Sequence, residues 1–206
     1  MEEKDIHSEL ASIRSLMERS SKFLSLSGLS GVMAGIYALI GAFIGYKIVY
    51  EKYGSLVISD SYTDNSLVYH QLILIAGLIL LLSVVSCLLL SIWQAKKKGE
   101  NYWNPVSRRL ISSMAIPLIT GGLFIIILFL RQEYALIASS SLIFYGLSLT
   151  SASQYTFSDV KWLGFCQIIL GLLAALTPAS GLLFWVIGFG LLHIIYGTVM
   201  HFKYNR

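Results

Sequence analysis

The sequence predicts an all-α polytopic membrane protein: a bundle of six transmembrane helices preceded by an amphipathic helix. Three observations carry that reading. Hydrophobic residues make up 56% of the 206-residue chain and Asp, Glu, Lys and Arg only 13%, about half the charged share of a soluble domain. The apolar residues gather in six runs, each near or above the ~20 residues that cross ~30 Å of hydrocarbon. The fifteen Lys and Arg fall between those runs or at their ends, and mostly on one side. These features exclude a soluble enzyme, a secreted disulfide scaffold and a disordered tail.

Residues 1–22 form the first element. Ile6, Leu10, Ile13 and Met17 recur at helical spacing, and Arg14–Glu18 and Glu18–Lys22 are i,i+4 pairs of opposite charge, so an amphipathic helix is expected. It lies on the membrane, packs under the bundle or pairs with a copy of itself. No short apolar core with an A-x-A site begins the chain, so no cleaved signal peptide is expected.

The transmembrane domain, 23–206, holds spans at about 23–49, 67–93, 106–130, 134–155, 160–177 and 181–202. In the first, Gly28, Gly31, Gly35, Ala38, Ala42 and Gly45 recur at alternating spacings of three and four. They make a small-residue seam for close helix packing, either inside the bundle or in a homo-oligomer. The third opens on Asn104-Pro105, an N-cap followed by proline at the first helical position. It carries Pro117 in mid-span, where a kink is expected. The fourth is diluted by Ser139, Ser140, Ser141, Ser148, Thr150 and Ser151, and the stripe Ser141, Tyr145, Ser148, Ser151 and Tyr155 should point into the bundle. Thr156 and Asp159 suggest the cap of the fifth, which ends at Thr177-Pro178. The segments at 131–133 and 178–180 are too short to separate their spans, so spans three and four, and five and six, are antiparallel neighbours.

Twelve of the basic residues lie at the N-terminus, the second and fourth loops and the C-terminus; Lys47, Lys52 and Arg131 lie on the other side. The positive-inside rule then predicts a multi-pass protein of the plasma (inner) membrane with both termini cytoplasmic. Lys96, Lys97, Lys98, Arg108 and Arg109 sit where they set topology and can also hold anionic lipid headgroups. The net charge of +4 reports this topology, not nucleic-acid binding. The bilayer is the expected partner, and a homo-oligomer through the first span and a protein partner both remain open.

Few residues could carry chemistry. No Asp or Glu lies inside a predicted span, which argues against a carboxylate-driven pump. Cys87 and Cys166 give no zinc spacing and no C-x-x-C, and no metal or cofactor is expected. His193 is the one clearly intramembrane ionisable residue, and such residues mark functional sites unless they serve a closed hydrogen-bond network. Counted from the span ends, Ser30, Ser86, Ser113, Ser148 and Gln167 share its depth. Tyr145 does as well, and Tyr196 is one turn away on the same helix. A contact of His193 with Tyr145 or Ser148 is the sharpest structural expectation, and the candidate polar cavity is His193, Tyr145, Ser148, Ser30, Gln167 and Tyr196. Gly28-Leu29-Ser30-Gly31 matches the G-x-S-G form of rhomboid proteases, but the serine is on the first span and the rest of that pattern is missing. His70, His193 and His201 differ in depth, which disfavours bis-histidine haem ligation.

The expected function is that of a non-enzymatic regulatory or accessory membrane protein. The alternative is a transporter or channel for a small solute with a polar cavity near His193. A serine hydrolase using Ser30 and His193 is more remote. The segments 25–42 and 188–197 resemble parts of small six-span bacterial membrane proteins with no assigned function. That resemblance covers most of the chain, implies the same six-span fold, and carries over no catalytic or binding residue.

Overall fold

A computed structural model describes residues 28–53, 66–97, 99 and 101–204. The expected amphipathic helix at 1–22, most of the loop at about 51–66, and Lys98 lie outside the described residues. Six helices among the described residues are long and apolar enough to cross a membrane, and the fold is an all-α bundle of six spans. Span one is Gly28–Tyr53, span two Ser66–Lys97 and span three Pro105–Leu130. Span four is a 3-10 turn, Tyr134–Leu136, running into the helix Ile137–Ala152. Span five is Asp159–Leu176, and span six covers Pro178–Tyr204.

The start of span three shows how local chemistry fixes a boundary. Asn104 Oδ1 accepts from the Ser107 backbone N–H at 2.8 Å, and Ser107 Oγ accepts from the Asn104 N–H at 3.0 Å. This reciprocal box satisfies two N–H groups that no carbonyl of the helix can reach, and Pro105 has no N–H to satisfy. Asn104→Ala should destabilise the protein by about 1 kcal/mol, as loss of a cap usually does. Thermal denaturation in detergent checks it, and an unchanged midpoint would mean the box is dispensable.

Two boundaries differ from expectation. Span four ends at Ala152, so Tyr155 lies beyond it; Ser153 Oγ instead donates to Thr150 O at 2.6 Å and the chain turns with Tyr155 N–H on Ala152 O. Such local side-chain bonding competes with helix continuation. Span five begins after Ser158, which makes no side-chain cap; Thr156 is buried just outside. Its first turn closes through Val160 N–H to Phe157 O and Lys161 N–H to Ser158 O. The α-helix of span three continues through Pro117.

Glycine decides which spans meet. Spans four and five form one tight pair, span three packs on span four, and span one lies between spans two and six. The seam of span one is shared by both neighbours. A Cβ on Gly31 would stand 3.2 Å from Gly197 Cα, and one on Gly35 would stand 2.7 Å from Gly190 O, both on span six. A Cβ on Gly45 would reach Leu72 of span two at 2.9 Å, while Ala38 and Ala42 are buried between. A second pair of glycine faces joins spans four and five. A Cβ on Gly146 would stand 2.7 Å from Gly164 O, and one on Gly164 2.8 Å from Gly146 O. Such backbone-to-backbone approach is a main source of helix association in lipid.

Spans two and three present long rows of exposed apolar side chains, among them Leu74, Leu78, Leu81, Ile116, Ile119 and Ile126. In a bilayer these face acyl chains. The polar and small residues lie instead between spans one, four, five and six, and that is where the candidate site forms.

Candidate functional site

Span six is not a uniform α-helix. It runs as a 3-10 turn at Pro178–Ser180, an α-helix at Gly181–Trp185, a π-helical segment at Val186–Leu192 and an α-helix at His193–Tyr204. The π segment contains Gly188 and Gly190, where neighbours press in from two sides. Gly190 faces Leu39 of span one; Gly188 faces Leu142 of span four and Gln167 of span five. A wider turn spoils the regular hydrogen-bond ladder, and π segments are frequent at functional sites.

The Gly188 carbonyl becomes the hub of a buried network. Gln167 Nε2 donates to it at 2.8 Å, and His193 Nδ1 lies 2.9 Å from it. A carbonyl only accepts, so Nδ1 carries the ring proton. Nε2 of the neutral ring is then an acceptor, and the Tyr145 hydroxyl donates to it at 2.9 Å. The 3.4 Å approach of Gln167 Nε2 to Nδ1 is a contact between two N–H groups, not a bond. Protonating His193 at Nε2 would therefore require Tyr145 to reverse its hydroxyl.

Aromatic rings hold this geometry. Trp185, Phe189 and His193 stack at i,i+4 spacing along span six, with Phe189 and His193 nearly parallel at 5.8 Å. The Tyr145 ring packs across both, 5.1 Å from Phe189 and 5.4 Å from His193. Gln167 is fully buried and His193 is 5% exposed.

Two buried polar atoms are left over, one in this network and one a turn away on span six. Gln167 Oε1 and the Tyr196 hydroxyl are buried and have no hydrogen-bond partner among the described residues. Tyr196 packs on the apolar cluster of Leu149, Phe157, Val160, Leu163 and Met200.

The other members expected at this depth turn elsewhere. Ser148 is fully buried, but its hydroxyl points to Met114 O of span three at 3.4 Å, so the expected Ser148–His193 contact is replaced by one between spans three and four. Ser113 Oγ bonds back to Leu110 O of its own helix at 2.8 Å, and Ser86 pairs with the Tyr37 hydroxyl at 3.1 Å. Ser30 is buried on span one. With Nδ1 on Gly188 and Nε2 on Tyr145, neither ring nitrogen of His193 is offered to Ser30 as a general base. The groove between spans one and two, about 290 Å³, is apolar and lined by Leu29, Met33, Ser86, Leu89 and Leu90, and it belongs to the lipid side. Lys96, Lys97, Arg108 and Arg109 are exposed where spans two and three meet their common loop. Among the described residues no three His, Cys, Asp or Glu gather as metal ligands.

Gly188 and Phe189 escaped the sequence reading. The only hint was the glycine pair beside His193; nothing in the residue pattern announces a π-helical turn. Comparison with family models, curated proteins and solved structures finds no match; the likeness of segments 25–42 and 188–197 names no family, and the site is read from its own geometry.

Proposed function

We propose that this protein is a membrane transporter or channel for a small neutral or weakly charged solute, with His193, Tyr145, Gln167 and the Gly188 carbonyl as its binding site in a closed conformation. The observation that carries the reading is Gln167 Oε1. It is a buried acceptor in an otherwise satisfied network, and leaving it unmet costs about 1–3 kcal/mol. A purely structural contact would be more stable with leucine or methionine there. A solute bearing a hydrogen-bond donor would meet that atom. The π segment supports the same reading, because a conversion to α geometry would re-aim the Gly188 carbonyl and open the network. The charge split supports a reading in which both termini face the cytoplasmic side of a plasma membrane.

A regulatory or accessory role remains the second reading. It is favoured by the closure of the network on itself, since every nitrogen of Gln167 and His193 is engaged within the bundle.

Native mass spectrometry of the full chain from a mild detergent separates the two. The expected result is a stoichiometric small molecule retained by the wild type and lost from Gln167→Leu. That variant should denature at the same temperature or higher, because it removes an unmet acceptor while His193 still holds Gly188. A ligand-free wild type with an equally functional Gln167→Leu in cells would overturn the solute site in favour of the accessory role.

A further inference from the structure

Three tyrosines line one apolar cluster. Tyr145, Tyr196 and Tyr204 all pack against Leu149, Phe157, Val160, Leu163 and Met200. They occupy three levels of the bundle. Tyr145 sits at the His193 level, its hydroxyl on Nε2. Tyr204 sits at the end of the bundle where span five starts and span six ends, its hydroxyl donating to Asp159 Oδ2 at 2.8 Å. Asp159 also holds Lys203 at 2.9 Å, with Lys203 exposed and Asp159 partly exposed. Tyr196 lies between the two levels on the twelve-residue helix His193–Tyr204, which rises about 16 Å. Its buried hydroxyl has no partner among the described residues.

We infer that Tyr196 links His193 to the Asp159–Lys203–Tyr204 end as the middle station of a water-bridged proton path. The inference rests on the solute-site reading above and deepens it: the cargo of that site moves with a proton. No Asp or Glu lies in the apolar stretches 28–49, 70–97, 105–130, 134–152 and 178–204, and Asp159 only opens the fifth, so His193 is the buried group there that can hold one.

The transfer balances without a co-reactant. A proton from water at Asp159 passes through bridging water to the lone pair of Tyr196, which releases its own hydroxyl proton on the far side. That proton reaches Tyr145, and the Tyr145 hydroxyl proton moves to His193 Nε2. Each tyrosine ends neutral. His193 ends as an imidazolium with Nδ1–H still on Gly188 O and Nε2–H on the Tyr145 oxygen.

The groups facing the path are few. Span four contributes Tyr145 and span five contributes Asp159 and the non-titrating Gln167. Span six contributes Tyr196, Lys203 and Tyr204. Span one meets His193 through glycine backbone at Gly31, with Ser30 beside it.

Stopped-flow infrared spectroscopy of the full chain in detergent, after a rapid drop in pH, follows the His193 imidazole; His193→Gln identifies its band. Tyr196→Phe keeps the ring and its packing. It should slow His193 protonation on the order of 100-fold, the low end of what a positioned proton-transfer group contributes, without changing the final protonated fraction. Asp159→Asn, a change at the solvent-exposed end, should slow it less and in the same direction. Wild-type rates in both variants would overturn the path, and so would a His193 that never protonates. Either failure with ligand retention still lost in Gln167→Leu leaves the solute site standing, whereas slowed protonation without any retained ligand leaves the path and removes the site.

Discussion

Gly197→Ala lowers the thermal midpoint of the protein, whereas Gly77→Ala leaves it unchanged or slightly raised. A Cβ at position 197 would stand 2.5 Å from the Val32 nitrogen and 2.6 Å from the Gly28 carbonyl oxygen. Both obstacles are backbone, so no rotamer change relieves them, and spans one and six must move apart. Overpacking typically costs 1–3 kcal/mol, and an immovable neighbour places this case near about 3 kcal/mol. At the ~2–4 °C per kcal/mol usual for chains of this size, the midpoint falls by roughly 6–12 °C. At Gly77 an added Cβ meets nothing within 4 Å, and alanine is the better helix former. Denaturation followed with a thiol dye on Cys87 and Cys166 compares the two. Equal midpoints would show that the glycine contact does not hold span one to span six.

Gly188→Ala has the opposite profile: the bundle folds and the site is lost. The new Cβ would stand 2.5 Å from Leu142 Cδ2 and 2.6 Å from Gln167 Oε1. Both atoms are the ends of flexible side chains, so the backbone need not shift. Gln167 cannot stay where it is, however, and it is fully buried. Its Nε2 leaves the Gly188 carbonyl, and the acceptor that defines the site is re-aimed. Losing one well-placed hydrogen bond to a buried group costs about 1–3 kcal/mol, so affinity for the proposed solute should fall about 10- to 100-fold. Ligand retention by native mass spectrometry, read beside the thermal midpoint, checks it. Undiminished retention would remove Gln167 from the binding site.

The six spans were legible because a bilayer demands some twenty apolar residues in a row, and few other structures do. The cap at Asn104 was legible because its chemistry is local. Depth counting brought Tyr145, Gln167 and His193 to one level, since rise per residue is nearly constant along regular helix. It could not say which way each side chain turns about its axis, and Ser148, Ser113 and Ser86 turn to other partners. The facing glycines Gly146 and Gly164 belong to different helices, so their pairing exists only after the helices dock. Nor did any residue pattern signal the π segment at Val186–Leu192, on which the aim of the Gly188 carbonyl depends.

The unequal lengths of the spans bear on the surrounding lipid. The apolar part of span two, His70–Lys97, has 28 residues and span five has 18, or about 42 Å against about 27 Å of helix. A hydrocarbon layer of ~30 Å fits neither. Span two must lean, while the leaflets thin beside span five, whose outer face is Ile169, Leu172, Leu173 and Leu176. A bilayer of uniform thickness would therefore be compressed beside span five, which carries Gln167, and relaxed beside the longer spans two and six. Because mismatch carries a cost per ångström, membrane thickness acts as a mechanical load on the helices that enclose the polar network.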